Sequence, residues 1–317
     1  MNLNYCHRLA LIAASVFALF ATLPAAADDG LPVASEQKFL DSVMLPTVEN
    51  QAKWVVRGKR RVFTYQKKNV VVGVEVSEET GRVVSLEGNA PPITNETLRQ
   101  MAKELPELAK IALGHWGNWG YKQFTPKDFN GAGFDAFANS KLKVLAANGS
   151  HFSDEGAAAA AKIKGLKSYT ETHTAAHYAT SLASVATNPS IEELHVSSSF
   201  NDHFTNAQLP LVLAFPNLKS LTIGESFFTW DGGLDHLAGM KDRLKTLRFS
   251  HCAIFPEDLA KLRAALPGTE VTMAPELSDP KNWVSSYADA LPRFKKWLSP
   301  EDYARLESLL PKAAKAK

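Results

Sequence analysis

Histidine and cysteine are the residue types in this sequence best suited to metal binding or nucleophilic catalysis. His173 and His177 stand four residues apart, a spacing that would place two imidazoles on one face of a helix. The pair lacks the intervening glutamate of a zinc protease and begins where a strand or turn is expected. Cys252 has no nearby sequence feature of a nucleophile. We therefore predict structural or solvent-exposed roles for these side chains, with no catalytic residue, metal or cofactor.

The rest of the sequence carries few signs of chemistry. A Gly-rich phosphate loop, a nucleophile elbow, a haem attachment motif and a paired-cysteine site are all absent. The 35 basic and 33 acidic side chains give a net charge of +2, and this near-neutrality argues against a dedicated nucleic-acid-binding protein. Binding is therefore a better hypothesis than catalysis, and an enzyme of unknown class ranks third among our hypotheses.

The first 27 residues have the features of an export signal. Arg8 precedes an apolar run from Leu9 to Leu23, and three alanines that end at Ala27 follow it. We predict cleavage after Ala27 and a periplasmic or extracellular location. The apolar run is shorter than the roughly 20 residues that a membrane-spanning helix needs, so we expect no membrane span once the signal is removed. The mature chain would keep only Cys252 and could form no internal disulfide.

An L-x-x-L-x-L pattern recurs through the middle of the chain. Its regular units begin at Leu142, Leu166, Ile191, Leu218 and Leu244. The steps of 24, 25, 27 and 26 residues are typical of one supersecondary unit that stacks on the next. Apolar residues at positions one, four and six of a unit cannot share one face of a flat strand. A strand that turns into a loop, however, can direct all three into a core shared with its neighbours.

Each unit changes from strand-like to helix-like spacing along its length. Apolar residues three and four apart follow the strands: Leu98, Met101 and Leu105; Leu234, Leu237 and Met240; Leu259, Leu262 and Leu266. Thr94 precedes the first of these runs as an N-cap residue, and Pro256 opens the last. The pattern predicts one strand and one helix in every unit.

Weaker units flank the regular ones. Gly81 begins a unit that would place Asn89 at position nine, and a last strand ends at Met273. The unit from Leu108 is irregular, because it contains a Gly- and aromatic-rich insertion from Trp116 to Phe124. About seven units, from Gly81 to Met273, are enough to bury a continuous core.

The repeat resembles the leucine-rich repeat family, and its details are similar to those of short-repeat secreted bacterial proteins. The resemblance covers residues 81–273 and implies an α/β solenoid with parallel strands on the concave face and helices outside. Such a surface usually binds proteins or glycans, and the resemblance implies no chemistry. The sequence departs from the family at position nine, where hydroxyl and thiol residues replace most asparagines: Ser150, Thr174, Ser199, Ser226 and Cys252. We expect Cys252 to be buried and bonded to the backbone of the turn.

Segments on either side of the repeats are expected to cover the ends of the solenoid. Residues 28–80 form a small α+β N-terminal cap region, with a helix from Glu36 to Leu45 followed by three strands. The basic run from Arg57 to Arg61 is predicted at a hairpin bend, where it is either a solvated turn or a patch for an anionic partner. Residues 274–317 are predicted to form a helical C-terminal cap with a basic tail, and Ser299 is expected to cap its second helix.

Alignment of the units shows which side chains are expected to point away from the core on the face of the sheet. Position two carries Lys143, Lys167, Lys219 and Lys245, interrupted by Glu192; position five carries Thr170, His195, Thr222 and Arg248; position eight carries His115, His173, Glu225 and His251. The lysines are either solvated residues or part of a groove for an acidic protein segment or anionic glycan, and Arg248 is expected to adjoin Lys219 and Lys245. Adjacent strands lie about 4.8 Å apart, so side chains two units apart should be too distant to share one metal ion.

A non-catalytic protein-interaction scaffold, exported and acting through its concave face, is the leading hypothesis. Its expected ligand-binding residues are Lys143, Lys167, His195, Lys219, Lys245 and Arg248. The alternative is a glycan- or cell-wall-binding module that uses Trp116, Trp119 and Tyr121, because exposed aromatic side chains on Gly-rich loops are frequent binding anchors. The first hypothesis predicts an acidic protein partner, and neither involves nucleic acid.

One acidic residue conflicts with the repeat. Glu171 occupies position six, where the other units place apolar residues. A buried carboxylate without a partner would cost several kcal/mol. We therefore expect either a bulge from Thr170 to Thr172 or a buried polar group with a role of its own, and the bulge is the favoured prediction.

Overall fold

The computed structural model describes residues 32–48, 52–57, 60–67, 70–89, 93–114, 129–197, 203–274, 295 and 298–309. Its α-helices are α1 (Ala34–Val48), α2 (Asn95–Glu104), α3 (Asp154–Ala160), α4 (Tyr178–Val185), α5 (Pro256–Ala265) and α6 (Pro300–Leu309). Its 3-10 helices are η1 (Ala132–Phe137), η2 (Asn206–Ala214) and η3 (Leu234–Met240). None of the helices in these ranges is both long and apolar enough to cross a membrane. The predicted export signal lies outside the described residues.

Eleven of the thirteen strands in the described residues form one continuous sheet. The strands are β1 (Ala52–Arg57), β2 (Arg60–Lys67), β3 (Val70–Val76), β4 (Val83–Asn89), β5 (Lys110–Gly114), β6 (Val144–Asn148), β7 (Ser168–Thr172), β8 (Glu193–Val196), β9 (Ser220–Gly224), β10 (Phe227–Phe228), β11 (Thr246–Ser250), β12 (Ala253–Ile254) and β13 (Glu270–Ala274). The strands from β1 to β4 pair antiparallel with one another. From β4 onward the strands of this sheet pair parallel in chain order. Strands β10 and β12 form a separate parallel pair. The expected leucine-rich-repeat solenoid is confirmed.

Each regular strand starts two residues after the first apolar residue of its unit. The side chains at positions four and six are buried within the strand, and those at position one are buried just before it. The chain bends between them, where the carbonyl of Glu192 accepts hydrogen bonds from the amides of Lys219 and Ser220 at 2.8 and 3.0 Å. The bend predicted from the L-x-x-L-x-L spacing is therefore confirmed.

The connections between strands are only partly α-helical. The prediction of a helix after the strand holds for α2, α3, α4 and α5, whereas η1, η2 and η3 have 3-10 geometry. Pro210 lies inside η2 and cannot donate a backbone hydrogen bond. The 3-10 helices lie in the units that begin at Leu108, Ile191 and Leu218, which are longer than the units that contain α3 and α4. In η3 the spacing predicted the buried face correctly, although the helix type differs.

The predicted starts of three helices are confirmed. Thr94 Oγ1 accepts a hydrogen bond from the amide of Thr97 at 3.0 Å, at the start of α2. Pro256 is the first residue of α5. Ser299 Oγ accepts from the amide of Asp302 at 3.0 Å, at the start of α6. These side chains could be recognised in the sequence because a helix leaves its first amides without internal partners.

The strand register corrects the alignment of the first unit. Asn89 pairs with Gly114, which occupies position seven of its own unit. Asn89 is therefore at position seven rather than nine, and the unit begins at Val83 rather than Gly81. Strand β4 pairs antiparallel with β3 on its other side, so it joins the cap hairpins to the parallel ladder.

The N-terminal cap is attached to β4 through a buried carboxylate. Glu36 of α1 accepts hydrogen bonds from the amide of Val83 at 2.7 Å and from the guanidinium of Arg82 at 2.9 Å. The antiparallel pair of β1 and β2 joins Arg57 to Arg60, so the hairpin predicted at the basic run is confirmed. The cap therefore extends the sheet and does not merely cover its end.

Helix α6 packs against the other end of the solenoid. Leu306 is buried, the guanidinium of Arg305 lies 3.9 Å from the centre of the Phe255 ring, and Arg305 also pairs with Glu257. These contacts attach the helix to α5 and to the residue before it. The other predicted cap helix, over residues 279–298, and the basic tail fall almost entirely outside the described residues.

Glu171 is enclosed in a regular strand, and the predicted bulge is wrong. It pairs in register with Ala147 of β6 and Val196 of β8, and its side chain is fully buried. The Tyr169 hydroxyl donates to its Oε2 at 2.5 Å, and the Ser181 hydroxyl donates to its Oε1 at 2.9 Å. These donors satisfy the carboxylate, so the strand has no need to bulge. Burial, reinforced by the charge of Glu171, raises the pKa of Tyr169 well above its usual range.

Candidate functional site

Position eight of the units, at the carboxyl ends of the strands, has a left-handed backbone. Gly149, His173, Glu225 and His251 occupy it with φ of 55°, 51°, 54° and 55°. Glycine adopts this conformation freely, whereas any other residue is strained there by about 1 kcal/mol or more. The turn recurs in these units, yet only one of them uses glycine. Three ionisable side chains therefore stand along this edge of the sheet.

His173 and Glu225 contact each other across two units. The His173 Nε2 and Glu225 Oε2 atoms lie 2.7 Å apart, and 26% and 33% of the two side chains remain exposed. Their strands, β7 and β9, are separated by β8. We expected side chains two units apart to be too distant to share one metal ion, and this expectation underestimated their reach, since His173 and Glu225 meet from strands on either side of β8.

His195 of β8 lies beside this pair. Its register partners are Thr170 of β7 and Thr222 of β9, and its side chain is half-buried. Burial lowers the pKa of His195 and the charge of His173 lowers it further, while Glu225 acts in the opposite direction. Protonation of the His195 imidazole is therefore less favourable than that of an ordinary histidine.

The His173 and His177 spacing does not create a metal site. His177 precedes α4, where Asp154 accepts from its amide at 2.8 Å and contacts its Nδ1 at 3.1 Å. The two imidazoles therefore engage different carboxylates. Within the described ranges, no group of three or more His, Cys, Asp or Glu side chains could hold a metal ion.

The lysines of position two do not form a continuous cationic stripe. Glu192 lies between Lys167 and Lys219, with carboxylate oxygens 2.7 and 2.6 Å from the two ammonium groups. Hydrogen bonds from these lysines lower the pKa of Glu192 to about 2. Lys143 and Lys245 are exposed and form no ion pair with another described residue. The available positive charge at position two is thus divided between the two ends of the row.

Position five forms a polar row across the sheet. His195, Thr222 and Arg248 stand on β8, β9 and β11 and are directly adjacent in the register. None of the three makes a side-chain hydrogen bond or ion pair with another described residue. Arg248 has threonines as register neighbours, so the expected contact with Lys219 and Lys245 is wrong. Position two precedes the strand, whereas position five lies in its middle.

Position nine holds buried small residues, and the predicted burial of Cys252 is confirmed. Those described are Ser150, Thr174, Ser226 and Cys252. Cys252 Sγ donates to the carbonyls of Ile223 at 3.4 Å and Ser250 at 3.6 Å. Burial raises the pKa of Cys252 to about 12. The group is therefore a structural thiol and not an activated nucleophile.

The predicted binding residues fall into separate groups. The structure brings His195 and Arg248 into one row, with Thr222 between them, and places the four lysines at the strand starts. The roles of Thr222 and Glu225 were missed, although their repeat positions were the available signal. The remaining predicted residues lie outside the described part of the chain: Trp116, Trp119 and Tyr121.

Comparison with known proteins gives only distant structural likeness. No protein-family model matches the chain, and no curated relative matches its sequence. A leucine-rich-repeat protein of Leptospira interrogans is 13% identical with a TM-score of 0.37, over 55% of this chain and 44% of that one. An internalin of Listeria monocytogenes is 11% identical with a TM-score of 0.32, over 81% of this chain and 93% of that one. The match to the Leptospira protein thus spans less than half of that protein's length.

Proposed function

We propose that this protein is an exported, non-catalytic scaffold that binds a partner protein through the sheet face of its solenoid. The observation that supports this function is the row of His195, Thr222 and Arg248, whose polar groups have no side-chain partner among the described residues. Three adjacent hydrogen-bonding groups with no side-chain partner in the described part of the chain are available to a ligand. The sequence of residues 1–27 supports export.

The chemistry of the sheet face favours an extended acidic segment as the ligand. The partly exposed residues at positions three and five include several small hydroxyl side chains: Ser168, Thr170, Ser220, Thr222, Thr246 and Thr272. Small side chains let a partner backbone approach closely, and hydroxyls can donate to it or accept from it. Lys143, Lys245 and Arg248 add positive charge without ion-pair partners among the described residues.

A capture experiment with two matched triple variants tests the proposal. In the face variant, Lys143, Lys245 and Arg248 are replaced by Ser. In the control variant, Lys162, Lys164 and Lys241, exposed residues of the strand-to-strand connections, are replaced by Ser. Both remove three positive charges from outside the core, so far-UV circular dichroism and melting temperature should stay nearly unchanged.

Each purified chain is immobilised and exposed to an extract of the cell envelope, and bound proteins are quantified by mass spectrometry. We expect an acidic protein that the wild type and control variant retain, and that the face variant loses by about tenfold. Single exposed ion pairs contribute only about 0 to 1 kcal/mol, so retention should also weaken as salt rises. The captured protein is then purified and its binding measured directly.

Equal retention by the face and control variants would refute binding through the sheet face. Retention of purified cell-wall polysaccharide that is lost in Trp116→Ala and Trp119→Ala variants would instead support the glycan-binding alternative.

A further inference from the structure

The row of His195, Thr222 and Arg248 is of a size to bind one anionic group. We call these three residues the seat. Adjacent strands lie about 4.8 Å apart, so His195 and Arg248 are separated at the backbone by about 10 Å. The imidazole and the longer guanidinium side chain can both reach the space above Thr222, which stands between them. A carboxylate there would receive donors from three side chains, and two of these can carry positive charge.

Polar residues and a glycine lie beyond the row, toward the carboxyl ends of the strands. Gly224 follows Thr222 by two residues on the same face of β9. A Cβ atom added to it would come within 3.0 Å of Ser197 Oγ, so only glycine fits without displacing that side chain. Beyond it, His173 and Glu225 close over the end of β8. Ser197 and the His173–Glu225 pair therefore lie beyond the row, toward the carboxyl ends of the strands.

We propose that His195, Thr222 and Arg248 bind a carboxylate side chain of an acidic peptide segment, and that acidic solution strengthens this binding. The inference rests on the proposed function and specifies its ligand. It commits to an acidic peptide because the hydroxyl-lined face suits an extended backbone, and an acidic glycan is an outcome of the test.

The dependence on pH follows from the charges that face His195. They are His173 at the end of β7, Glu225 at the end of β9, Glu193 on its own strand and Arg248 beyond Thr222. Glu225 is engaged by His173, so their pair repels an incoming carboxylate less than a lone Glu225 would. A proton on His195 adds one positive charge to the seat. Because burial and His173 lower the pKa of His195, this charge appears only below the usual histidine range.

The test uses the full chain and two end-blocked peptides, tetraglutamate and tetraglutamine. Affinity is measured by calorimetry at pH 5.0 and pH 7.5, and the imidazole signal of His195 is followed by NMR. We expect tetraglutamate to bind about threefold to fivefold tighter at pH 5.0, the effect of one partly exposed charge pair. Tetraglutamine should bind weakly at both values. Bound tetraglutamate should also raise the pKa of His195.

Substitutions of His195 and Arg248 test whether the pH dependence of tetraglutamate binding arises at the seat. His195→Gln should abolish the difference between the two pH values, and Arg248→Gln should weaken binding at both. Lys162→Gln, which removes an exposed charge from a connection after α3, is the matched control. Two-dimensional NMR spectra confirm that each variant is folded.

Two further variants move the His195 titration in opposite directions. His173→Gln removes a positive charge and should raise the pKa of His195, whereas Glu225→Gln removes a negative charge and should lower it. A purely structural role for either residue would not produce shifts of opposite sign. Shifts of the His195 pKa in the same direction in both variants, or no shift, would refute the proposed effects of His173 and Glu225 on His195.

The inference fails if tetraglutamate affinity is the same at both pH values or is unaffected by His195→Gln. If partner capture still depends on the sheet face in that case, the scaffold function stands and only the seat is refuted. If capture is also independent of the face, both proposals fail. Equal or tighter binding of tetragalacturonate would overturn the choice of a peptide.

Discussion

Replacement of the buried Glu171 by leucine is the sharpest test of the structure. Its carboxylate accepts hydrogen bonds from the hydroxyls of Tyr169 and Ser181, both of which are buried. The Glu171→Leu change would leave two buried donors without their acceptor, at about 1–3 kcal/mol each. The apolar side chain recovers part of that cost through its own burial. We expect the free energy of unfolding to fall by about 2–4 kcal/mol.

A triple variant tests whether the loss of stability comes from the broken hydrogen bonds or from general disruption of core packing. Adding Tyr169→Phe and Ser181→Ala to Glu171→Leu removes the donors together with the acceptor. Removing all partners of a buried polar group is often nearly neutral, so the triple variant should lie within about 1 kcal/mol of the wild type. Glu193→Leu, at an exposed position in the next strand, is the control and should change stability by less than about 0.5 kcal/mol.

Urea unfolding, followed by both far-UV circular dichroism and tryptophan fluorescence, provides the measurement. Coincident transitions from the two probes and an unchanged m value would show that the variants are compared on the same unfolding reaction. Additive losses in the triple variant would refute the hydrogen-bond argument, because the Tyr169 and Ser181 hydroxyl donors are removed together with their acceptor. A Glu171→Leu variant as stable as the wild type would refute it more directly.

Four further predictions concern single positions. Cys252 should resist alkylation in the native chain and react on unfolding, as read by peptide mapping, because burial raises its pKa to about 12; rapid native labelling would contradict its burial. Glu192→Gln should tighten tetraglutamate binding about twofold to fivefold in calorimetry at low salt, because it releases two lysines from their shared partner; weaker binding would exclude a role for those lysines. His251→Gly should raise the free energy of unfolding in urea by up to about 1 kcal/mol through relief of its positive φ, whereas His251→Val should lower it. Export should yield an N-terminus at Asp28, and an intact mass that retains residues 1–27 would refute it.

Most of the fold could be predicted from the sequence because the repeat imposes the same physical requirement on every unit. Apolar residues at positions one, four and six must all reach the core, and that requirement sets both the bend and the start of each strand. The helix starts at Thr94, Pro256 and Ser299 were also predictable, since capping depends on local geometry. Helix type was not predictable in the same way. Pro210 lies inside η2 and cannot donate a backbone hydrogen bond, whereas the apolar spacing is compatible with both helix types.

Glu171 shows where reasoning from one unit at a time fails. The repeat places an apolar residue at its position, and we favoured a bulge over a buried polar group because its hydrogen-bond donors were unknown. Ser181 comes from the following helix, ten residues along the chain, and the repeat pattern gives no information about its direction. A polar residue at a core position therefore indicates a buried network as readily as a distorted strand, and the structure selects the network.

Predicting the candidate site requires two kinds of information: which repeat positions share a row, and how far side chains reach across units. Repeat positions predicted which side chains share a row, and the alignment alone placed His195, Thr222 and Arg248 together at position five. The sequence does not give the reach of side chains across units, and His173 meets Glu225 because both extend from a left-handed turn over the end of β8. Their contact, with His173 Nε2 and Glu225 Oε2 2.7 Å apart, lies beside His195 at the opposite end of the strands from the lysines. The repeat thus determines which side chains form a row. Contacts between side chains of different rows determine which charged groups are accessible to a ligand.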